Sequence, residues 1–304
     1  MALAIAIALV AAATYALATA LLHRSAQLAE LARPGPVPGG NRTKGAAIWP
    51  FVSNNLRHPL WIVGMLVEAV GFSLHALALH SGPIILVQPL LVTGLVFALP
   101  IRQLLERRRP DTFEIAWATV LSAGLVLFLL SAAPGQGRSQ PPDTVPTIVA
   151  VVLVGAGMLA SGVLGTRSRG RIAAPVLGFG AGLGFAAVAG LLKAVTAEMS
   201  RYGLASLGHW PFWALFPSGI GGLLLDQLAF RVAPLRYSLP TLSTVDPIAS
   251  VLIGISVFDE PFSHSALALG GELVGMVLIV IPIVALTRRG PDPRPGAVAS
   301  ELSG

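Results

Sequence analysis

Nine stretches of about twenty mainly apolar residues constrain this chain more than any other feature: 2–22, 60–80, 83–103, 112–133, 145–165, 172–193, 210–230, 236–258 and 264–286. About 20 such residues are what a helix needs to cross a hydrocarbon core about 30 Å thick. The stretches are too uniformly apolar for barrel strands, which would alternate in polarity. In lipid the backbone has only itself to hydrogen-bond with, so the pattern predicts helices. The expected fold is an all-α, polytopic membrane protein with nine transmembrane helices.

Composition supports this class and excludes others. Of the residues, 54% are hydrophobic and 11% charged, against about 25% charged in a soluble domain. The formal charge is +6, but the basic residues lie in short clusters between apolar runs and form no stripe among aromatics, which argues against nucleic acid as a partner. With no cysteine, a disulfide scaffold and a thiol nucleophile are excluded. Ala18-Thr19-Ala20 resembles a signal-peptidase site, yet no basic region precedes Leu3, so 2–22 is read as a retained first helix.

The connections set the topology. Residues 23–58 form the longest, with a Pro34-Gly35-Pro36-Val37-Pro38-Gly39-Gly40 core that would break a helix. The tail from Gly290 is expected to be disordered. Asn41-Arg42-Thr43 matches a glycosylation sequon, a pattern short enough to arise by chance. With the N-terminus outside, the inner loops and flanks collect Arg24, Arg33, Arg42, Lys44 and Arg57, then Arg102 and Arg107 to Arg109, then Arg167, Arg169 and Arg171, then Arg231 and Arg236, and finally Arg288, Arg289 and Arg294. Only Arg138, Lys193 and Arg201 fall on or near the outer side. The positive-inside rule therefore predicts a multi-pass protein of the cell (inner) membrane with a cytoplasmic C-terminus.

The sequence also matches itself at an offset of 151 residues. Gly71 to Pro89 aligns with Gly222 to Pro240, pairing Gly71 with Gly222, Leu74 with Leu225, Leu77 with Leu228, Ala78 with Ala229, Pro83 with Pro234 and Pro89 with Pro240. A weaker echo links Tyr15-Ala16 and Leu21-Leu22-His23 with Phe185-Ala186 and Leu191-Leu192-Lys193. Spans 1–4 thus correspond to spans 6–9. Equivalent spans are an odd number apart, so the halves would cross the membrane in opposite senses, as in many carriers. The expected organisation is a first repeat over 1–133, a linking helix within 134–171, a second repeat over 172–288 and a tail over 289–304.

These residues resemble the drug/metabolite transporter superfamily, and within it the EamA-like and NIPA-type magnesium transporter branch. The resemblance rests on Trp61, Gly64 and Gly71, on Gly82-Pro83-Ile84-Ile85-Leu86-Val87-Gln88-Pro89-Leu90, on Ala229 to Pro240, and on Glu106 and Glu260 after spans 3 and 8. It implies a nine-helix carrier fold and the structural marks Gly82, Pro83, Pro89 and Pro240. After the span-2 glycine the magnesium branch typically has Glu and, three residues on, Asn; this chain has Phe72 and His75, which weakens transfer of metal specificity.

Ionisable groups at bilayer depth cost at least about 2.5–3.5 kcal/mol each and usually face a cavity or a partner. Glu68 and His75 in span 2, Asp226 in span 7, Asp246 in span 8 and Glu272 in span 9 are the candidates. Functionally read, the carboxylates bind a cation or exchange protons and His75 titrates. Structurally read, Asp226 pairs with Arg231 or Arg236 and His75 simply bridges helices. Asp246 and Glu272 lie nearer mid-helix, where snorkelling is harder. Glu114 reads as a helix-start charge. Pro89, Pro240 and Pro247 are expected to kink spans 3 and 8, freeing backbone carbonyls. Beside them, Thr241, Ser243, Thr244 and Gln88 supply the polar groups of a candidate solute site. The glycines at 178, 182 and 190, with Ala186, form a small-residue ridge for close helix packing; the Gly178-x-Gly180-x-Gly182-x-Gly184 run follows no strand and is not a nucleotide fingerprint.

The sequence reading is therefore a secondary transporter of a small solute, cationic or proton-coupled, working by alternating access. A divalent-cation (magnesium) transporter ranks second and a non-transporting scaffold third. No enzyme motif and no ATP-binding motif is present, and no cofactor is expected. The expected partners are the lipid bilayer and the small-molecule or cation substrate, with a homodimer left open.

Overall fold

The structure is a computed structural model, and it describes residues 1–31, 59–106, 111–132, 144–168, 172–232, 238–260 and 265–289. Among these every regular element is a helix. The helices are α1 (Ala2–Leu31), α2 (Pro59–Ser81), α3 (Ile84–Leu91), α4 (Gly94–Glu106), α5 (Thr112–Ala132), α6 (Thr144–Arg167), α7 (Ala173–Tyr202), α8 (Trp210–Val232), α9 (Leu239–Phe258) and α10 (Ala266–Arg289), with a 3-10 turn at Gly203–Gly208. Among the described residues eight helical segments are long and apolar enough to cross a membrane; α8, with 23 residues, is long enough but less apolar and is not among them. Large apolar side chains such as Leu130, Leu153 and Leu267 are exposed along the helices, a surface that water would not tolerate over so wide an area. These are the helices of a membrane-embedded protein.

Small residues let helices touch backbone to backbone, and the contacts fix their directions. Along α1 and α2, a Cβ added at Gly64 would meet Leu22, at Gly71 Tyr15, and at Gly82 Ala4, so the two helices run antiparallel. Gly184 meets Gly222, and Gly180 meets Leu225, so α7 and α8 are antiparallel as well. Gly178 against Ser238, Gly182 against Val245 and Gly190 against Ile253 make α9 parallel to α7. Gly124 against Leu278 and Gly275 against Phe128 make α5 and α10 antiparallel. The glycine run in α7 thus serves two faces. Positions four apart share a face and positions two apart face opposite ways, so Gly178, Gly182 and Gly190 meet α9, while Gly180 and Gly184 meet α6 and α8.

Three sequence expectations are corrected. α1 continues to Leu31, so the first connection is shorter than 23–58; residues 23–33 hold no proline and no glycine that would stop the helix sooner. Pro240 does not kink span 8: it stands in the first turn of α9, where a missing N–H has no carbonyl to bond anyway. The interruption falls in span 3 instead. Pro89 lies near the end of α3, and the chain then tightens into i+3 bonds, Val92 N–H to Pro89 O at 3.2 Å and Thr93 N–H to Leu90 O at 3.0 Å, before α4 begins. The Thr93 hydroxyl donates to the Leu90 carbonyl at 2.6 Å, which satisfies one group near the break. α9 runs unbroken past Pro247. Glu114 forms a reciprocal cap with Asp111: each backbone N–H donates to the other's carboxylate, at 2.8 and 3.1 Å.

The sequon, the Pro34–Gly40 run, the tail beyond 289 and the side chains of Glu106, Arg231 and Arg236 lie outside the described residues.

Candidate functional site

α2 and α3 meet at a sharp corner, and α1 packs beside both. Gly82 makes the corner possible, because a Cβ there would approach Ala4 Cβ to 2.7 Å. Pro83 then starts α3 with its fixed φ of −70°. This geometry turns His75 of α2 toward Gln88 of α3: Gln88 Nε2 and His75 Nε2 are 3.1 Å apart, at 9% and 4% exposure for His75 and Gln88 respectively. The Tyr15 ring of α1 stands edge-on to His75, with centroids 6.2 Å apart, and lies against Gly71.

Glu68 on α2 and Asp246 on α9 both lie within electrostatic range of the Tyr15 hydroxyl. Asp246 accepts a bond of 3.3 Å from the Ser250 hydroxyl one turn on, and its backbone lies against Gly182 of α7. Asp246, Glu68 and Tyr15 are half-buried, not sealed. Depth follows from the helical rise. Tyr15 and Gly71 each lie eleven residues from the Ala4–Gly82 contact at one end, which is about 16 Å at 1.5 Å per residue and about half of a 30 Å hydrocarbon core. Tyr15, Glu68, His75, Gln88, Asp246 and Ser250 therefore form one polar cluster near the middle of the bundle, drawn from α1, α2, α3 and α9.

The other candidates lie apart. Asp226 is on α8, which packs on α7 and α6; its Oδ1 is buried and has no hydrogen-bond partner among the described residues. Glu272 is on α10 at 1% exposure. Thr241, Ser243 and Thr244 are half-buried on α9, and the Thr244 hydroxyl has no hydrogen-bond partner among the described residues.

The sequence reading missed a second polar centre at the corner end. Glu260, 2% exposed, accepts the Ile84 N–H at 2.6 Å and the Ile85 N–H at 2.8 Å, and it is ion-paired with Lys193 of α7. The Lys193 ammonium also stands 4.9 Å over the Phe258 ring. Local structure aims the carboxylate. Asp259 takes the left-handed conformation (φ 47°, ψ 37°) after the last turn of α9, which Asp tolerates better than most side chains. The Asp259 and Glu260 N–H groups both bond back to Gly254 O, the second at 3.0 Å, so this left-handed ending caps the helix as it turns the chain. The signal for this centre was present: α3 begins Gly82-Pro83-Ile84-Ile85 with no side chain of its own to cap it, so its first N–H groups needed an acceptor from elsewhere.

The class these features define is an all-helical membrane protein with a polar centre at mid-depth. The chain is similar to an uncharacterized protein of Corynebacterium glutamicum, 29% identical over 299 residues that cover 96% of each chain. No protein-family model matches it, and no solved structure does.

Proposed function

We propose that the chain is a secondary transporter of the drug/metabolite transporter type, carrying a small cationic or proton-coupled solute by alternating access between two inverted repeats. The observation that carries this reading is the Tyr15–Glu68–His75–Gln88–Asp246 cluster. Two carboxylates held half-buried at mid-depth are costly in a membrane unless they meet a cation or a proton, and the cluster sits where span 3 is interrupted, the arrangement by which carriers expose backbone to a solute.

The helix directions support the repeat. Equivalent spans pair in the same way: α1 with α2 as α7 with α8, both antiparallel, and α1 with α4 as α7 with α9. Reading directions from these contacts, α1 and α7 run oppositely, as do α2 and α8, α5 and α10, and the α3–α4 span and α9. Tyr15 supplies an aromatic face for an organic cation, and Asp246 and Glu68 supply the countercharge.

A thermal-shift screen of small cationic solutes on purified protein, with Asp246→Asn as control, tests the reading. A stabilising solute should lose its effect in the variant, and the same solute should be taken up by proteoliposomes containing the wild type. Asp246→Asn binding and transporting as the wild type would remove the cluster from the mechanism. Growth rescue of a magnesium-import-deficient host, abolished by Asp246→Asn, would reassign the substrate to a divalent cation.

A further inference from the structure

We propose that Lys193, Glu260 and the first two N–H groups of α3 form a lock that closes one end of the carrier and opens once in each transport cycle. The inference rests on the alternating-access reading above, and goes beyond it by naming the contact that holds one state.

The lock joins the repeats. Ile84 and Ile85 belong to the first, Lys193 and Glu260 to the second. It lies at one end of the bundle, where the start of α1, the α2–α3 corner and the end of α9 come together. Gly254, one turn before that end, lies against Ile85. Below it, on the same helices, lies the Tyr15–Asp246 cluster, so the lock stands between the cluster and that face of the membrane.

Its chemistry suits reversible opening. Every group in it, an ammonium, a carboxylate and two backbone N–H groups, regains water when it separates. A buried ion pair roughly breaks even against its desolvation, so the closed and open forms can differ little in free energy. An apolar seam of equal area would favour closure outright. Elsewhere the repeats meet differently: α5 and α10 pack glycine to backbone, so that a Cβ added at Gly275 would lie 2.8 Å from the Phe128 backbone nitrogen and one at Gly124 2.8 Å from the Leu278 carbonyl carbon. That seam is made by close glycine-to-backbone packing, with Glu272 of α10 buried on the same face as Gly275, and it is placed to act as the pivot about which the lock opens.

The chain has no cysteine, so spin-label pairs can be introduced without background. Ser81→Cys with Ser256→Cys reports the lock end across the repeats, and Thr112→Cys with Ile172→Cys reports the opposite end. In Glu260→Gln, which keeps an acceptor for the α3 N–H groups and removes the charge, the lock-end pair should gain a longer-distance population, raising the open-to-closed ratio about a hundredfold or more, the factor expected when one member of a buried ion pair is removed and the other is stranded. Lys193→Met should act in the same direction if Glu260→Gln fails to fold. The exchange of Lys193→Glu with Glu260→Lys restores opposite charges but turns an ammonium toward the α3 N–H groups, so it should remain open. An unchanged lock-end distribution in folded variants overturns the lock, as does a charge exchange that recloses it. The opposite-end pair tests the carrier reading separately: it should shorten as the lock end lengthens. Reciprocal motion in the wild type that ignores both single variants refutes the lock and leaves the carrier, whereas lock-end opening with a fixed opposite end refutes rocking and leaves the lock contacts.

Discussion

Removing either partner of the Lys193–Glu260 pair has unequal costs, and the inequality can be worked from the structure. Lys193 is 5% exposed and its ammonium has the Glu260 carboxylate and the Phe258 ring as neighbours. Glu260→Gln strips the countercharge and strands that ammonium, a loss of about 3–5 kcal/mol for one member of a buried pair. Lys193→Met is milder. The carboxylate keeps both bonds to Ile84 and Ile85 and the partial positive charge of the α3 N-terminus, about half an elementary charge, so the loss is that of one charged hydrogen bond, about 1.5–3 kcal/mol. In the double variant no charge of the pair is left buried, and the amide introduced by Glu260→Gln still accepts from α3. The double variant should therefore be more stable than Glu260→Gln alone, with a coupling energy of about 1–3 kcal/mol. Reversible unfolding in mixed micelles with increasing SDS, followed by tryptophan fluorescence, measures all four proteins. Equal losses in the two single variants that simply add in the double would refute the account, because they would mean that the two side chains do not sense each other.

Packing and orientation give two further tests. Gly124→Ala should destabilise by about 1–3 kcal/mol, since its Cβ would sit 2.8 Å from the Leu278 carbonyl carbon, whereas Gly155→Ala, with nothing within 4 Å of the new Cβ, should be neutral or gain up to about 1 kcal/mol from the lower chain entropy of alanine; the same unfolding assay compares them. If the N-terminus is outside, a single cysteine replacing Arg138 should react with an impermeant maleimide added to whole cells, and one replacing Arg108 should react only after lysis; the reverse pattern would invert the topology.

The helices are legible in the sequence because lipid leaves little choice. A run of twenty apolar residues has one low-energy backbone solution there, so Pro59–Ser81, Thr112–Ala132 and Thr144–Arg167 fall within two residues of their expected limits. α7 extends to Tyr202, well past the expected 193. Hydropathy stops short there because the last turns are polar (Thr196, Glu198, Ser200, Arg201), and a helix leaving the membrane need not stop at its surface. The roles of the prolines are hard to read for a related reason. A proline breaks a helix only if its neighbours are committed to continue it, and Pro240 stands at a helix start. Membership of the cluster is half legible. Charge at depth points to Glu68, His75 and Asp246, but Tyr15 looks like one more aromatic in an apolar span, and its place beside His75 depends on the α1–α2 register set by Gly71.

The two polar centres divide the work by exposure. At the lock, Glu260 and its partners are sealed and mutually satisfied, so no solute is needed to keep the charge there. At the cluster, Asp246 has the Ser250 hydroxyl at 3.3 Å as a hydrogen-bond donor, a neutral group that offsets its charge far less than an ammonium would. On the reading proposed above, α9, which carries Asp246 and ends two residues before Glu260, would be the element that senses both site and lock. On that reading a cation at Asp246 would act on the same helix whose end leads into Glu260. α9 is unbroken between them, so a shift of Asp246 toward a bound cation carries Gly254 and the Glu260 turn with it. Coupling of site to lock would then need no pathway of intermediate side chains, only the stiffness of the twelve-residue rise of helix from Asp246 to Phe258.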